Sequence, residues 1–206
     1  AFAIGLCDWS SDVCSSDLNF NGIMNMTNNK RPIKTPDDLK GLKMRCMSNQ
    51  VYIKMFEALG ANATPMSWSE LFTALQQGTV DGEENPASLI YEAKFQEVQK
   101  YISTTEHIYD FCGIVINRNF YEGMDEQARK ILDDAVQTKL IDEQRSMELD
   151  NNDEYLKKLQ EEGMELTELT AEERKAFADK VAPMYENWET TYGQDIVDAV
   201  EKYRAQ

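Results

Sequence analysis

No run in this 206-residue sequence reaches the roughly 18 consecutive apolar side chains from which a membrane-spanning helix is built. Basic residues are also scarce: 21 lysines and arginines stand against 37 aspartates and glutamates, so the formal net charge is −16. A chain with this balance offers no basic stripe to a phosphate backbone, which argues against nucleic acid as a partner. The hydrophobic fraction of 42% nevertheless indicates a globular protein with a core.

The sequence contains one histidine, which limits the catalytic and metal-binding roles open to the protein. The single histidine, His107, has no serine, cysteine or second histidine arranged with it as a nucleophile and base. The acidic residues Asp81, Glu83 and Glu84 lack the ligand spacing of a calcium loop. We therefore expect neither an enzyme nor a bound metal or other cofactor.

The N-terminal segment differs from the rest of the chain. Residues 1–18 have neither the basic start of an export signal nor the period of a strand or helix. Within them, Asp8–Leu18 resembles the direct translation of a sequencing-library adapter, so we interpret residues 1–18 as a non-native segment fused to a gene fragment. The alternative is a genuine serine-rich loop. On the first interpretation, any export signal lies upstream of the printed sequence.

Cysteine is rare once that segment is set aside. Cys46 and Cys112 remain, on two separate apolar stretches. Such cysteines are more often buried small residues than a disulfide or a metal pair, and we expect them to be buried.

The acidic charge is concentrated in the C-terminal part of the chain. Residues 19–120 carry 11 acidic and 10 basic side chains, whereas residues 121–206 carry 23 and 11. The C-terminal excess is typical of a solvated helical surface. In the nearly neutral part, one unpaired arginine would dominate the local field.

Short apolar strands alternate with capped helices along the chain, which is typical of an α/β fold. The predicted strands are Leu42–Met47, Ala61–Met66, a third opening at Val80 before an Asp81-Gly82 turn, 98–103, 108–117 and Met164–Leu169. The predicted helices are 49–59 ended by Gly60, Glu70–Gln77, 87–97, 125–160 with a soft spot at Asp150–Asn152, and a region after Thr170. We expect a mostly parallel sheet flanked by helices, with ligands beyond the carboxyl ends of its strands.

Four candidate binding residues follow the predicted strand ends. Arg45 closes the first strand, Trp68 follows the second and Asn85 follows the third, with Ser48 a weaker candidate. A cation, an aromatic plate and an amide at one edge of a sheet favour an anion-binding crevice. Each has an ordinary alternative: Arg45 as a salt-bridged strand residue, Trp68 as a packing residue, and Asn85 as the cap of the next helix.

Three motifs in a fixed order make this pattern more specific. They read LKGLKMR, EALGANATPMSWSELFTALQQGTVDGEENP and KFQEVQKYISTTEHIYD. Over residues 19–206 the chain resembles the second half of a solute-binding protein of the tripartite ATP-independent periplasmic (TRAP) transporter family. The resemblance implies a periplasmic-binding-protein-like fold, type II-like and of the TRAP subtype, in which two α/β lobes joined by a hinge bind a small organic acid. Such proteins pass the acid to the membrane permease subunits without chemistry on it.

The same resemblance implies roles for the candidate residues. Arg45 pairs with the ligand carboxylate, Trp68 forms a flat wall against the carbon skeleton, and Asn85 hydrogen-bonds the carboxylate or a neighbouring hydroxyl. Ser48 lines the pocket. The expected ligand is a sugar acid or a C4-dicarboxylate.

The sequence departs from the family pattern at two positions. Met24 stands where many members carry a second arginine, so Arg45 is the only expected cation of this half-site. Glu83 stands where glutamine is frequent, which adds negative charge; the two departures disfavour bulky or doubly charged anions if both residues face the pocket.

The resemblance also implies a domain division. We expect 19–110 and 151–206 to form the second ligand-binding lobe, and 111–150 to form a hinge strand and a long hinge-spanning helix of a truncated first lobe. It further implies a monomer that is periplasmic, or extracellular and lipid-anchored on a single-membrane cell. The alternative is a non-catalytic helical adaptor or scaffold built on 125–160. We favour a buried stripe in that helix, made up of Ile131, Leu132, Ala135, Leu140 and Ile141.

Overall fold

A seven-stranded sheet forms the centre of the protein. The computed structural model describes residues 13–187, 190–191 and 193–204. The strands are β1 (Val13–Asn28), β2 (Lys43–Cys46), β3 (Asn62–Pro65), β4 (Gly82–Pro86), β5 (Tyr101–Ser103), β6 (Tyr109–Asn117) and β7 (Glu165–Thr167). They are ordered β3-β2-β4-β1-β5-β7, and β6 pairs with β1 outside this path.

The helices of the described residues surround this sheet. They are α1 (Gln50–Leu59), α2 (Trp68–Gln76), α3 (Ala87–Glu92), α4 (Arg118–Glu122), α5 (Glu126–Ala135), α6 (Gln144–Glu161), α7 (Ala171–Val181) and α8 (Gln194–Arg204). Short 3-10 segments occupy Pro36–Leu39, Phe95–Glu97 and Ala182–Asn187, and a π-helical segment, Val136–Glu143, joins α5 to α6. None of these described helices is both long enough and apolar enough to cross a membrane.

The sheet is mixed, which corrects the expectation of a mostly parallel one. Strand β2 runs parallel to β3 and to β4, and β5 runs parallel to β7. Strand β1 runs antiparallel to β4, β5 and β6. Its first part pairs with β6 as a two-stranded ribbon, and its last part lies in the sheet between β4 and β5. The α/β class with flanking helices is confirmed.

Local capping signals predicted the first helix well. Asn49 accepts a hydrogen bond from the backbone nitrogen of Val51, and α1 ends at Gly60 in the left-handed conformation with φ of 90°. Two other local predictions are wrong. Asp81-Gly82 is not a turn, because β4 begins at Gly82, and α6 continues through Asp150–Asn152 without a break.

Two hydrophobic cores lie on opposite faces of the sheet. The first joins α1 and α7 to alternate strand residues; its members include Met24, Met26, Met44, Cys46, Tyr52, Phe56 and Phe177. The second joins α2, α3 and α6 to the other face; its members include Leu71, Leu75, Ile90, Phe95, Ile102 and Leu159. Alternation along a strand sends successive side chains to opposite faces, which explains this division.

Several expectations about burial are only partly confirmed. Cys46 is buried in the first core, but Cys112 is exposed on the β1–β6 ribbon, and both are free thiols. In the C-terminal helices Ile141 is buried, whereas Ile131 and Leu140 are exposed, so the expected buried stripe is incomplete. An apolar stripe on a helix is buried only where another element packs against it, and among the described residues Ile131 and Leu140 are not covered in this way.

The N-terminal segment lies mostly outside the described residues, which begin at residue 13. Its last residues, Val13–Leu18, belong to β1 and pair with β6, although their sequence shows no strand period. Backbone hydrogen bonds to a partner strand form without side-chain alternation, so a strand here is compatible with that sequence.

Candidate functional site

Five polar side chains lie side by side on one face of the sheet. We call this set, made up of Arg45, Glu83, Asn85, Asn25 and Thr27, the polar row. Asn25 is paired with Asn85, and Thr27 with Glu83, across β1 and β4. Arg45 and Glu83 each follow directly after the paired residues Met44 and Gly82 of β2 and β4, so they too are neighbours. Neighbouring residues of adjacent strands point to the same face of the sheet. All five are at most 5% exposed. The row therefore places one cation, one carboxyl group, two amides and a hydroxyl on the face that also carries the second core.

Arg45 is fixed at the carboxyl end of β2. Its Nε and Nη2 donate hydrogen bonds to the backbone carbonyl of Met66, at 3.1 and 3.0 Å. Within the part of the chain that the structure describes, it forms no ion pair with a carboxylate, so the salt-bridge alternative finds no support there. Its Nη1 takes part in neither bond to Met66.

Trp68 lies at the same edge of the sheet, because the Met66 carbonyl that holds Arg45 is two residues before it. Trp68 is the first residue of α2 and follows the capping position Ser67. Its ring lies 5.4 Å from that of Phe95 and yet remains 44% exposed. Trp68 is thus partly a packing residue and partly an open aromatic surface.

Asn85 lies within β4, not after it as the sequence predicted, and it is buried. Its Nδ2 donates to Oε2 of Glu83. The capping position of α3 is occupied by Pro86, so the alternative role of Asn85 as a helix cap is wrong. Ser48 is exposed in the connection between β2 and α1 and is not one of the buried strand residues of the polar row.

Asn25 and Thr27 are the members of the row that sequence reasoning missed. Asn25 donates from Nδ2 to the carbonyl of Ile23 at 3.2 Å, and its fully buried Oδ1 has no hydrogen-bond partner among the described residues. A buried acceptor without a donor is unfavourable by about 1–3 kcal/mol. The alternation of methionine with Asn25 and Thr27 was the available signal, since such alternation is typical of a strand.

Glu83 is fully buried at the centre of the row. Its Oε1 lies 2.7 Å from the hydroxyl of Thr27, which in turn lies 3.1 Å from Oε1 of Gln99. Burial raises the pKa of Glu83 to about 7, although hydrogen bonds from Asn85 and Thr27 oppose that rise. The expected extra negative charge near the site is therefore present only when Glu83 is ionised.

The other face of β4 carries a second buried carboxyl group. Oε2 of Glu84 lies 3.0 Å from Nε2 of His107, whose Nδ1 lies 2.8 Å from the hydroxyl of Thr105. Burial raises the pKa of Glu84, and its hydrogen bond to His107 opposes this. Met24 is buried in the first core on the same face and does not belong to the polar row.

The chemistry of the row suits binding better than catalysis. It contains donors and acceptors for a small polar ligand but no serine, cysteine or histidine to act as nucleophile or base. Among the described residues, no group of three or more histidine, cysteine, aspartate or glutamate side chains is placed to hold a metal ion.

Comparison with known proteins identifies the family of the chain. The model of the bacterial extracellular solute-binding protein family 7 matches residues 17–191. A solute-binding protein of Verminephrobacter eiseniae is 38% identical over 87% of this chain and 53% of its own length. The 2,3-diketo-L-gulonate-binding periplasmic protein YiaO of Escherichia coli is 33% identical over 88% of this chain and 56% of its own length. The chain thus spans about half the length of these relatives.

Solved structures give the same result for the fold. The sugar acid binding protein DctPAm of Advenella mimigardefordensis, in complex with galactonate, superposes with a TM-score of 0.84. It is 35% identical, and the match covers 92% of this chain and 61% of that one. The chain therefore belongs to family 7 of the bacterial extracellular solute-binding proteins, the substrate-binding proteins of TRAP transporters.

Proposed function

We propose that Arg45, Trp68 and Asn85 form one half of a site that captures a small organic acid for transport, with Ser48 at its margin. The observation that carries the proposal is the buried guanidinium of Arg45 at the carboxyl edge of β2, without a carboxylate partner among the described residues. A buried cation is stable only when it is paired and hydrogen-bonded, and a ligand carboxylate supplies both contacts.

The neighbouring side chains support a ligand that carries hydroxyl groups. The exposed part of the Trp68 ring offers a flat apolar surface. Asn25 is the strand partner of Asn85, and its Oδ1 has no hydrogen-bond donor among the described residues. Of the relatives described above, YiaO is named for binding 2,3-diketo-L-gulonate, and DctPAm was solved in complex with galactonate. We therefore propose a small organic acid of the sugar-acid or C4-dicarboxylate type, and the single cation of the polar row, Arg45, favours the sugar acid.

The proposed role extends to the whole protein, of which this chain matches about half. The protein delivers its acid to the permease subunits of a TRAP transporter, outside the cytoplasm, in the periplasm or anchored by a lipid on a single-membrane cell. It acts as a monomer, performs no chemistry on the acid and binds no nucleic acid. Closure of a second lobe over Arg45 would exclude water and strengthen the ion pair.

The domain division remains part of this proposal. We assign 19–110 and 151–206 to the lobe that carries the polar row, and 111–150 to the hinge and the other lobe. Large exposed apolar side chains concentrate in and just before that second stretch, which supports its packing against further protein. They are Tyr109, Phe111, Val115, Phe120, Ile131, Leu140, Met147 and Leu149.

Binding measurements on the 206-residue chain test the proposal. The chain is titrated with galactonate and with succinate by nuclear magnetic resonance, which detects the weak affinity expected of half a cleft. Arg45→Ala should weaken binding by at least about 30-fold, since removing one partner of a buried charge pair costs about 2–5 kcal/mol.

Lys43→Ala is the matched control. It removes a cation from the same strand, but its Nζ is bonded to the carbonyls of Gly78 and Thr79 at the opposite end. Equal affinity of wild type and Arg45→Ala would refute the assignment. If no acid binds at all, the alternative function as a helical adaptor gains support.

A further inference from the structure

We propose that Glu83 is the charge-selecting residue of this half-site: it takes up a proton when an acid binds beside Arg45, so that the site accepts singly charged hydroxy acids and rejects doubly charged ones. This inference rests on the proposed function and adds the ligand's charge class to it.

The position of Glu83 gives it direct influence over the proposed ligand contacts. It is next to Arg45 across β2 and β4, because the preceding residues, Met44 and Gly82, are a strand pair. Its Oε2 accepts the amide hydrogen of Asn85, so it also fixes which way that amide points. Both an ionised and a protonated carboxyl group can accept this bond, and Asn85 therefore keeps its orientation in both states.

The hydrogen bonds around Thr27 are complete only when Glu83 is protonated. The Thr27 hydroxyl has one hydrogen but lies within bonding distance of two acceptors, Oε1 of Glu83 and Oε1 of Gln99. Gln99 cannot turn its amide without loss, because its Nε2 donates to the carbonyl of Val98 at 2.9 Å. If Glu83 carries the proton, it donates to Thr27, which then donates to Gln99, and every acceptor has a donor.

The charges near Glu83 favour the proton once an anion arrives. The charged side chains that act on it are Arg45 on β2, which favours its ionised form, and Glu84 beside it on β4, which opposes it. The negative charge of a ligand carboxylate paired with Arg45 offsets the stabilisation that Arg45 gives to ionised Glu83, so the protonated form of Glu83 is favoured. Because burial already brings the pKa of Glu83 to about 7, this further rise makes Glu83 neutral at physiological pH.

A second ligand charge has no comparable partner. Arg45 is the one cation among the five members of the polar row, and a protonated Glu83 is neutral. A dicarboxylate would therefore leave one of its charges uncompensated against a largely buried face. The hydroxyl groups of a sugar acid meet no such penalty, since amides and hydroxyls can bond them.

The test compares wild type with Glu83→Gln, whose amide resembles a protonated glutamate in shape and donors. Affinities for galactonate, singly charged, and succinate, doubly charged, are measured by magnetic resonance between about pH 6 and pH 8.5 in carboxylate-free buffers. Above about pH 7, wild-type affinity for galactonate should fall by up to about tenfold per pH unit, because only the protonated site binds it. Glu83→Gln should show no such fall and should gain affinity for both acids at high pH.

A direct readout avoids dependence on the variant. The carbon-13 shift of the Glu83 side-chain carboxyl group, assigned by its disappearance in Glu83→Gln, reports its protonation with and without galactonate. Addition of galactonate should move this shift towards the protonated value.

The outcomes separate the two proposals. Galactonate binding that is independent of pH, or a Glu83 signal that galactonate leaves unchanged, would overturn the role of Glu83 and leave the proposed function intact. Wild type that prefers succinate to galactonate at high pH would do the same. If neither acid binds wild type at any pH, both proposals fail.

Discussion

The imidazole Nε2 of His107 lies 3.0 Å from Oε2 of Glu84, and the two side chains are 7% and 1% exposed. This is the single histidine of the chain, and its partners are Glu84 and Thr105. The pair joins the loop after β5 to the middle of β4. His107 is thus a structural residue on the face opposite the polar row.

Replacement of His107 should reveal how much this pair stabilises the fold. His107→Ala leaves the Glu84 carboxyl group buried without its donor, and we expect the free energy of unfolding in urea to fall by about 3 kcal/mol. His107→Gln retains a donor of similar reach and should recover part of that loss. Equal losses in both variants would show that packing, not the hydrogen bond, is the main contribution.

Helix signals were readable from the sequence because their causes are local. Asn49 and Gly60 mark the two ends of α1 through hydrogen bonds and a backbone angle that depend on residues within one turn. The direction of β1 was not readable in this way. Its antiparallel pairing with β4 and β6 depends on partners far along the chain, and the alternation of its side chains is the same in either direction.

Gly82 was predicted to belong to a turn, but it lies in β4. An Asp-Gly pair is typical of turns, but here glycine is needed because β4 approaches β1 closely. A Cβ at Gly82 would lie 2.1 Å from the carbonyl oxygen of Thr27 and 2.8 Å from Cβ of Asn28. The local pair of residues contained no information about that distant strand.

Gly82→Ala should therefore be strongly destabilising. The added methyl group forces β4 away from β1, and we expect a loss of more than about 2 kcal/mol in the free energy of unfolding by urea. Gly78→Asn is the control: Gly78 has φ of 69°, a conformation that asparagine tolerates, and nothing lies within 4 Å of an added Cβ. Comparable losses in the two variants would contradict the close-approach argument.

Trp68 should report ligand binding through its fluorescence. Its exposed ring adjoins the carboxyl edge that holds Arg45, so an acid bound there changes the solvation of the indole. Trp68→Phe should abolish the emission change on titration with galactonate while the affinity measured by magnetic resonance changes by only a few fold. Persistence of the signal in Trp68→Phe would place the ligand elsewhere.

Only part of the candidate site could be predicted from the sequence. Arg45 and Asn85 were identified because their residue types and strand positions suit an anion, and the structure places both in the polar row. Asn25 and Thr27 were missed because their importance arises only from pairing with Asn85 and Glu83 across two strands. Ser48 was included for its nearness in sequence to Arg45, which does not bring it into the row.

The buried carboxyl group of Glu83 should also make stability depend on pH. Its pKa is about 7 in the folded protein against an ordinary value of 4.5, so the folded state holds the proton more tightly than the unfolded state. The free energy of unfolding should then decrease as pH rises from about 4.5 to about 7, by about 3 kcal/mol in total. Glu83→Gln, which carries no titrating proton, should lose this decrease.

The measurement is a set of urea unfolding curves for both proteins across that pH range, and the quantity of interest is the difference between them. We expect Glu83→Gln to be more stable than wild type by a margin that widens as pH rises and levels off above about pH 7, because wild-type Glu83 must then be buried in its charged form. Glu57→Gln, on the exposed side of α1, controls for the change in net charge. A margin that stays constant with pH would mean that Glu83 is ionised throughout, and would also remove the basis for its role in selecting singly charged acids.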